Sequence, residues 1–283
     1  MPKGKVVYGV TAMYDDVYLV RDGVPEVEVY DSNTLGLQRR LAVKGLRRPW
    51  DMTSSTRYSC LYIADTSQTT FGRGHSDIYR IEIKGKTTKW SAKDKVASLS
   101  LGTGGWNLIT TCNSANKLKE YTTHGQLIRQ IRLQTGIRHP WYAVQLADDQ
   151  FLVSYGRSSD TASCIVLIDA DGLPITNRTS GIEVAARSAM ENAPRHLAVT
   201  GSGLVIVPDA TRLLLMNSPL TKICNLASVN GKTTTFKYII RLCLDETRRR
   251  LYVATCERIQ RSNTSLAGSV SVFRLGNMST ETK

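Results

Sequence analysis

Residues 108–133 read "LITTCNSANKLKEYTTHGQLIRQIRL": an apolar run, a polar turn, an alternating strand, a Gly turn and a second alternating strand. Alternation of apolar and polar residues over four to eight positions, closed by Asn, Ser or Gly, is the pattern of half-buried β-strands joined by tight turns. Aligning the leading run, "LITTC", finds five counterparts: "VYLVR" from 17, "LYIAD" from 61, "FLVSY" from 151, "LVIVP" from 204 and "LYVAT" from 251. The starts are separated by 44, 47, 43, 53 and 47 residues.

A near-constant period of this length, carried by four short strands, is the signature of a propeller blade. In each unit an inner strand A precedes the aligned strand B, and strands C and D follow. Strand C is read at 26–30, 78–83, 117–121, 164–169, 213–216 and 269–273, and strand D is clearest at 37–43 and 127–133. Three strand A regions start just after a proline, in "RRPWDM", "RHPWYAV" and "APRHLAV", where a fixed φ suits a tight entry. The expected fold is an all-β, six-bladed β-propeller filling residues 1–283 as one domain, with blades at about 5–46, 47–94, 95–136, 137–184, 185–234 and 235–283. The sixth unit lacks a clear strand D, so either the tail "LGNMSTETK" or the "KGKVV" start closes the ring.

The stretch at 108–133 resembles the NHL repeat, in which a strand and polar turn lead to Asn-His-Leu or a close variant, a further strand and a Gly turn. Asn116, Lys117 and Leu118 stand at the triplet and Gly125 at the turn, and "LYIADTSQ" in the second unit matches the preceding part. The resemblance implies a recognition domain like that at the C-terminus of tripartite-motif ubiquitin ligases, some of which bind RNA. No RING, B-box or coiled-coil pattern is present in these residues.

The chain carries 37 Lys and Arg against 24 Asp and Glu, a formal charge of +13, which favours polyanionic partners. In a four-stranded blade the D-to-A and B-to-C connections share one face of the disc. That face collects Arg47, Arg48, Arg73, Lys95, Arg138, Arg195, Arg241 and Arg258 with fewer acids (Asp22, Asp65, Asp209), and the opposite face is expected to be neutral or acidic. Trp50 and Trp141 occupy equivalent positions at the start of strand A, beside Arg47, Arg48, Arg138, His139, Arg195 and Arg241. Aromatic planes beside cations suit unpaired bases and phosphates. Long connections in the second and sixth units add Phe71, His75 and Arg261.

These residues predict a non-catalytic module that binds single-stranded or stem-loop RNA on its basic face. The alternatives are a protein-interaction platform gripping an acidic segment and, less favoured, a metal-dependent hydrolase or lyase. Four histidines (His75, His124, His139, His196) and six scattered cysteines without a CxxC pair point to no metal, cofactor or disulfide framework. "LGTGG" at 101–105 has no following helix or Lys-Ser/Thr pair and reads as a hairpin turn rather than a phosphate loop. Apolar runs far shorter than about 18 residues exclude a membrane-spanning helix, and the missing signal-peptide core points to a cytoplasmic or nuclear chain, or an excised domain; a cytoplasmic, monomeric domain is the expectation.

Overall fold

The computed structural model describes residues 4–66, 74–146, 149–156, 164–175, 194–209, 212–217, 222–228, 236–258 and 266–275. Among the described residues, twenty-two strands form six antiparallel sheets, each of consecutive strands. Sheet one holds β1 (Val7–Met13), β2 (Asp16–Arg21), β3 (Glu26–Asp31) and β4 (Leu37–Ala42). Sheet two holds β5 (Pro49–Ser55), β6 (Cys60–Thr66), β7 (Ser76–Glu82) and β8 (Thr87–Ser91). Sheet three is β9 (Ser98–Leu101), β10 (Asn107–Cys112), β11 (Lys117–Thr122) and β12 (Leu127–Arg132). Sheet four is β13 (Pro140–Gln145), β14 (Phe151–Tyr155) and β15 (Cys164–Ile168). Sheet five is β16 (Ala198–Val199), β17 (Val205–Asp209), β18 (Arg212–Met216) and β19 (Lys222–Ser228), and sheet six is β20 (Phe236–Asp245), β21 (Arg250–Arg258) and β22 (Leu266–Arg274).

All six aligned runs are second strands: β2, β6, β10, β14, β17 and β21. Their continuous apolarity has a packing cause, since successive side chains leave a strand on opposite faces and here both faces are covered. In β6, Leu61 and Ile63 face sheet one while Cys60, Tyr62 and Ala64 face sheet three. In β14, Phe151 and Val153 face sheet three and Leu152 faces sheet five.

The apolar clusters between sheets follow one cyclic order. Val20 and Val29 meet Met52 and Ile63 between sheets one and two; Tyr62 and Ile78 meet Leu99 and Leu108 between two and three. Ile109 and Leu118 meet Phe151 and Val153 between three and four; Leu152 and Ile165 meet Val207 and Leu214 between four and five. Ile206 and Leu213 meet Leu242 and Leu251 between five and six, and Tyr252 and Ala254 meet Val7 and Leu19 between six and one.

The start of the chain makes the closing contact. Gly4 pairs with Gly268 on the open edge of β22, its N–H donating over 3.1 Å and its carbonyl accepting over 2.7 Å. A side chain at Gly268 would meet the Val6 Cα and Val7 N at 2.7 Å, so glycine is what permits the approach. "LGTGG" forms a single 3-10 turn (Thr103–Gly105) between β9 and β10, and Gly104 takes φ 73°. Among the described residues, no helix is long and apolar enough to cross a membrane.

Cys60, Cys112, Cys243 and Cys256 are free thiols. Burial pushes Cys112 up to about 11 and Cys243 up to about 12, which keeps both protonated and unreactive at neutral pH.

Candidate nucleic-acid interface

The site forms where the inner strands begin. Four of them carry the same irregularity. Partners run Val7–Arg21 then Gly9–Val20 in sheet one, Pro49–Asp65 then Asp51–Ala64 in sheet two, Pro140–Tyr155 then Tyr142–Ser154 in sheet four, and Ile239–Thr255 then Arg241–Ala254 in sheet six. Each skips one residue on the inner strand: Tyr8, Trp50, Trp141 and Ile240. A bulge leaves its residue out of the ladder and re-aims the side chain. Three of the four re-aimed residues are aromatic.

Tyr8 and Trp50 lie ring to ring, centroids 4.5 Å apart and tilted 32°, and Trp50 Nε1 donates to the Ala97 carbonyl of sheet three over 3.1 Å. Trp141 Nε1 donates to the Gly156 carbonyl over 2.8 Å, and the Arg195 guanidinium lies over the Trp141 ring at 4.9 Å. One pile belongs to sheets one and two and the other to sheets four and five, which stand opposite in the cyclic order. Both indoles are half-buried.

Arg241 reaches from sheet six to sheet two and the entry of sheet three. Its Nε donates to Asp51 Oδ1 over 2.8 Å, its Nη1 to the Ile240 carbonyl over 3.0 Å, and its Nη2 to the carbonyls of Trp50 and Ala97 over 3.3 and 3.4 Å. Asp51 Oδ2 accepts from the Leu99 amide over 2.8 Å. At 3% and 1% exposure, Arg241 and Asp51 tie sheets six, two and three together. Burial pushes the Asp51 carboxyl up, against the pull of Arg241. Arg241 was expected on phosphates; the bulge at Ile240 turns it inward, and its donors are committed to the protein.

Tyr142 and His196 border this bolt, ring centroids 3.9 Å apart. Burial, and then the Arg241 charge, hold His196 well below the usual imidazole range, so it is neutral, and its Nδ1 has no hydrogen-bond partner among the described residues. His139 is half-buried at φ 56°. Among the described residues no group of three or more His, Cys, Asp or Glu could hold a metal.

Acids on this face are occupied. The Asp65 carboxylate caps the amides of Arg47 and Arg48 (3.1 and 2.5 Å), Asp22 lies 3.4 Å from Arg48 Nε, and Asp94 takes Lys117 and Lys119 at 3.0 and 2.5 Å. Exposed Arg47, Lys95, Arg138 and Arg195 form no ion pair among the described residues; Arg138 Nε rests on the Thr135 carbonyl. Arg73, Phe71 and Arg261 lie outside the described residues, and Arg258 ends β21 with its side chain also outside them.

Several solved structures share this architecture. A streptogramin B lyase aligns over 96% of this chain and 84% of its own at TM-score 0.59 and 10% identity. Hydrazine synthase from Kuenenia stuttgartiensis aligns over 89% and 76% at TM-score 0.60 and 12% identity. A protein of unknown function from Bacteroides caccae aligns over 84% and 85% at TM-score 0.55 and 12% identity. The fold is a β-propeller. At these identities the likeness extends to the propeller alone, not to either enzyme's chemistry. No family model and no curated protein matches the chain.

The aromatic and cationic residues at the propeller mouth carried a sequence signal, except Tyr8, whose place opposite Trp50 depends on register. Asp51 and Tyr142 were not singled out as site groups, and His196 was weighed only as a metal ligand. Asp directly after Trp50, at the position Tyr142 holds after Trp141, was the available clue.

Proposed function

We propose that this chain is a non-catalytic, six-bladed, NHL-type propeller that binds unpaired RNA across the mouth of its channel. The observation carrying the reading is the pair of facing piles, Tyr8–Trp50 and Trp141–Arg195, ringed by exposed Arg47, Lys95 and Arg138, which form no ion pair among the described residues. Bases stack on these half-buried rings, a sequence-tolerant interaction of about 1–3 kcal/mol per base. Phosphates follow the rim cations. Six blades are supported by the cyclic order of the clusters, and the NHL likeness by the order of elements in sheet three, where Asn116 and Gly125 both take positive φ at the turns.

The test is fluorescence anisotropy with a randomised 20-nucleotide single-stranded RNA pool. Wild type binds at micromolar or lower concentration, Trp141→Ala weakens binding by the scale of one stacked base, and Arg138→Glu/Arg195→Glu abolishes it. A pool that binds all three alike contradicts the reading.

A further inference from the structure

The two ends of the disc differ in apolar exposure as well as charge. Among the described residues, every large hydrophobic side chain that is strongly exposed lies at the end away from the basic mouth. Tyr14 and Trp106 sit on the hairpins after inner strands, and Ile83 and Leu173 on the turns before outer positions. Leu37, Leu127 and Ile128 open the outer strands β4 and β12 at the same end. Exposed apolar residues scattered singly need no explanation, but segregation to one end marks an interaction surface.

Its inner part is preorganised over sheets one to three. Tyr14, 52% exposed, donates from Oη to the Thr56 carbonyl over 2.9 Å and lies 2.7 Å from Ser59 Oγ. Its φ of 55° is one a bulky residue rarely takes. The neighbouring Arg57 guanidinium lies 3.2 Å from the centroid of the Trp106 ring, itself 52% exposed. Rigid aromatic anchors beside arginine are the residue types that dominate binding energy at interfaces.

The charges at this end select the partner. Asp15 pairs with Arg248, Asp16 with Arg39 and Glu82 with Arg80, while Asp31 is consumed by the amides of Asn33 and Thr34. Exposed Arg57, Lys84 and Lys86 form no ion pair among the described residues. The end expected to be neutral or acidic therefore offers, on the turns of sheet two, exposed cations that hold no ion pair among the described residues. We infer that the Tyr14–Arg57–Trp106 surface docks an acidic peptide segment bearing an aromatic or leucine side chain. The apolar residue lies against Trp106 and Tyr14, and the carboxylates meet Arg57, Lys84 and Lys86. This surface lies at the opposite end from the RNA mouth, and the inference stands independently of that reading.

The test is selection from a random dodecapeptide display library on wild-type protein, with each enriched peptide then measured by anisotropy. Peptides combining Asp or Glu with Trp, Phe or Leu are expected. Their affinity falls by about tenfold or more, the scale of an interface anchor, in Arg57→Glu and in Trp106→Ala, and is unchanged in Arg138→Glu/Arg195→Glu. No enrichment, peptides lacking acids, or binding lost only through the basic-face variant overturns it. So does sedimentation with phosphatidylserine vesicles that the Arg57 and Trp106 variants abolish while no peptide is enriched, which assigns the surface to a membrane.

Discussion

Replacing Arg241 by Met tests whether the channel is bolted as described. The guanidinium serves four acceptors on three sheets: Asp51, Trp50, Ala97 and its neighbour Ile240. Methionine fills most of the volume and supplies no donor, so the Asp51 carboxylate, 1% exposed, keeps only backbone amides, those of Leu99 and Met52, and no countercharge. Breaking a buried ion pair from one side costs about 3–5 kcal/mol, because a desolvated charge is left behind. Asp51→Leu/Arg241→Met removes both charges, and such replacements are often near neutral. The double mutant is therefore expected to lie well above either single variant in stability, with a coupling of about 6 kcal/mol, the two single losses less the near-neutral double. Urea unfolding at pH 7, followed by tryptophan fluorescence, measures all three. The same Arg241→Met protein binds RNA far better than Arg195→Glu, since its guanidinium faces no phosphate. A loss below about 1 kcal/mol in Arg241→Met, or additive single effects, refutes the bolt.

Acid sensitivity comes from His196. Its folded imidazole holds no proton while the unfolded chain takes one up below 6.5, so stability is full above that pH and declines as pH falls, by up to about 1.4 kcal/mol per unit. Denaturation between pH 7.5 and 5 should show this slope in wild type and a flatter one in His196→Phe; equal slopes reject the assignment. Gly268→Val forces the chain start off β22 and should speed hydrogen exchange in β1 and β22 before the other sheets; uniform exchange counts against closure by Gly4. Asp65→Ala releases the amides of Arg47 and Arg48 and is expected to weaken RNA binding without lowering stability by more than about 2 kcal/mol, the upper range for a lost backbone cap. Unchanged affinity would show that rim position does not depend on this cap.

Much of the fold was legible because propeller geometry leaves a mark on one strand per unit. Second strands packed on both faces must be apolar throughout, so "LYIAD" and "FLVSY" stand out at regular spacing. The β-propeller and its six sheets follow from that. The first strands carry polar residues facing a channel, and β16 is reduced to two residues, so Pro-containing entries were the better guide there. Ring closure was ambiguous because one Gly–Gly bridge has no periodicity to detect. At the mouth, Trp50 and Trp141 were recognised as equivalent, and the structure gives the cause in a shared bulge. The same bulge explains Arg241: register against β21, invisible in β20 alone, decides whether that arginine meets solvent or Asp51. On the far face, counting acids suggested a neutral or acidic surface. Local turns and ion pairs occupy Asp15, Asp16, Asp31 and Glu82, a pairing that the count of acids does not show.

The most direct test of the central claim is the salt dependence of single-stranded RNA binding to wild type and to Arg138→Glu/Arg195→Glu. Each single-strand phosphate contact contributes about −0.7 to the slope of log affinity against log salt. The account predicts a steep negative slope for wild type and a slope shallower by about 1.4 or more for the double variant, from two lost contacts. Binding with a slope near zero, or an identical slope in both proteins, would contradict a cationic mouth that tracks phosphates.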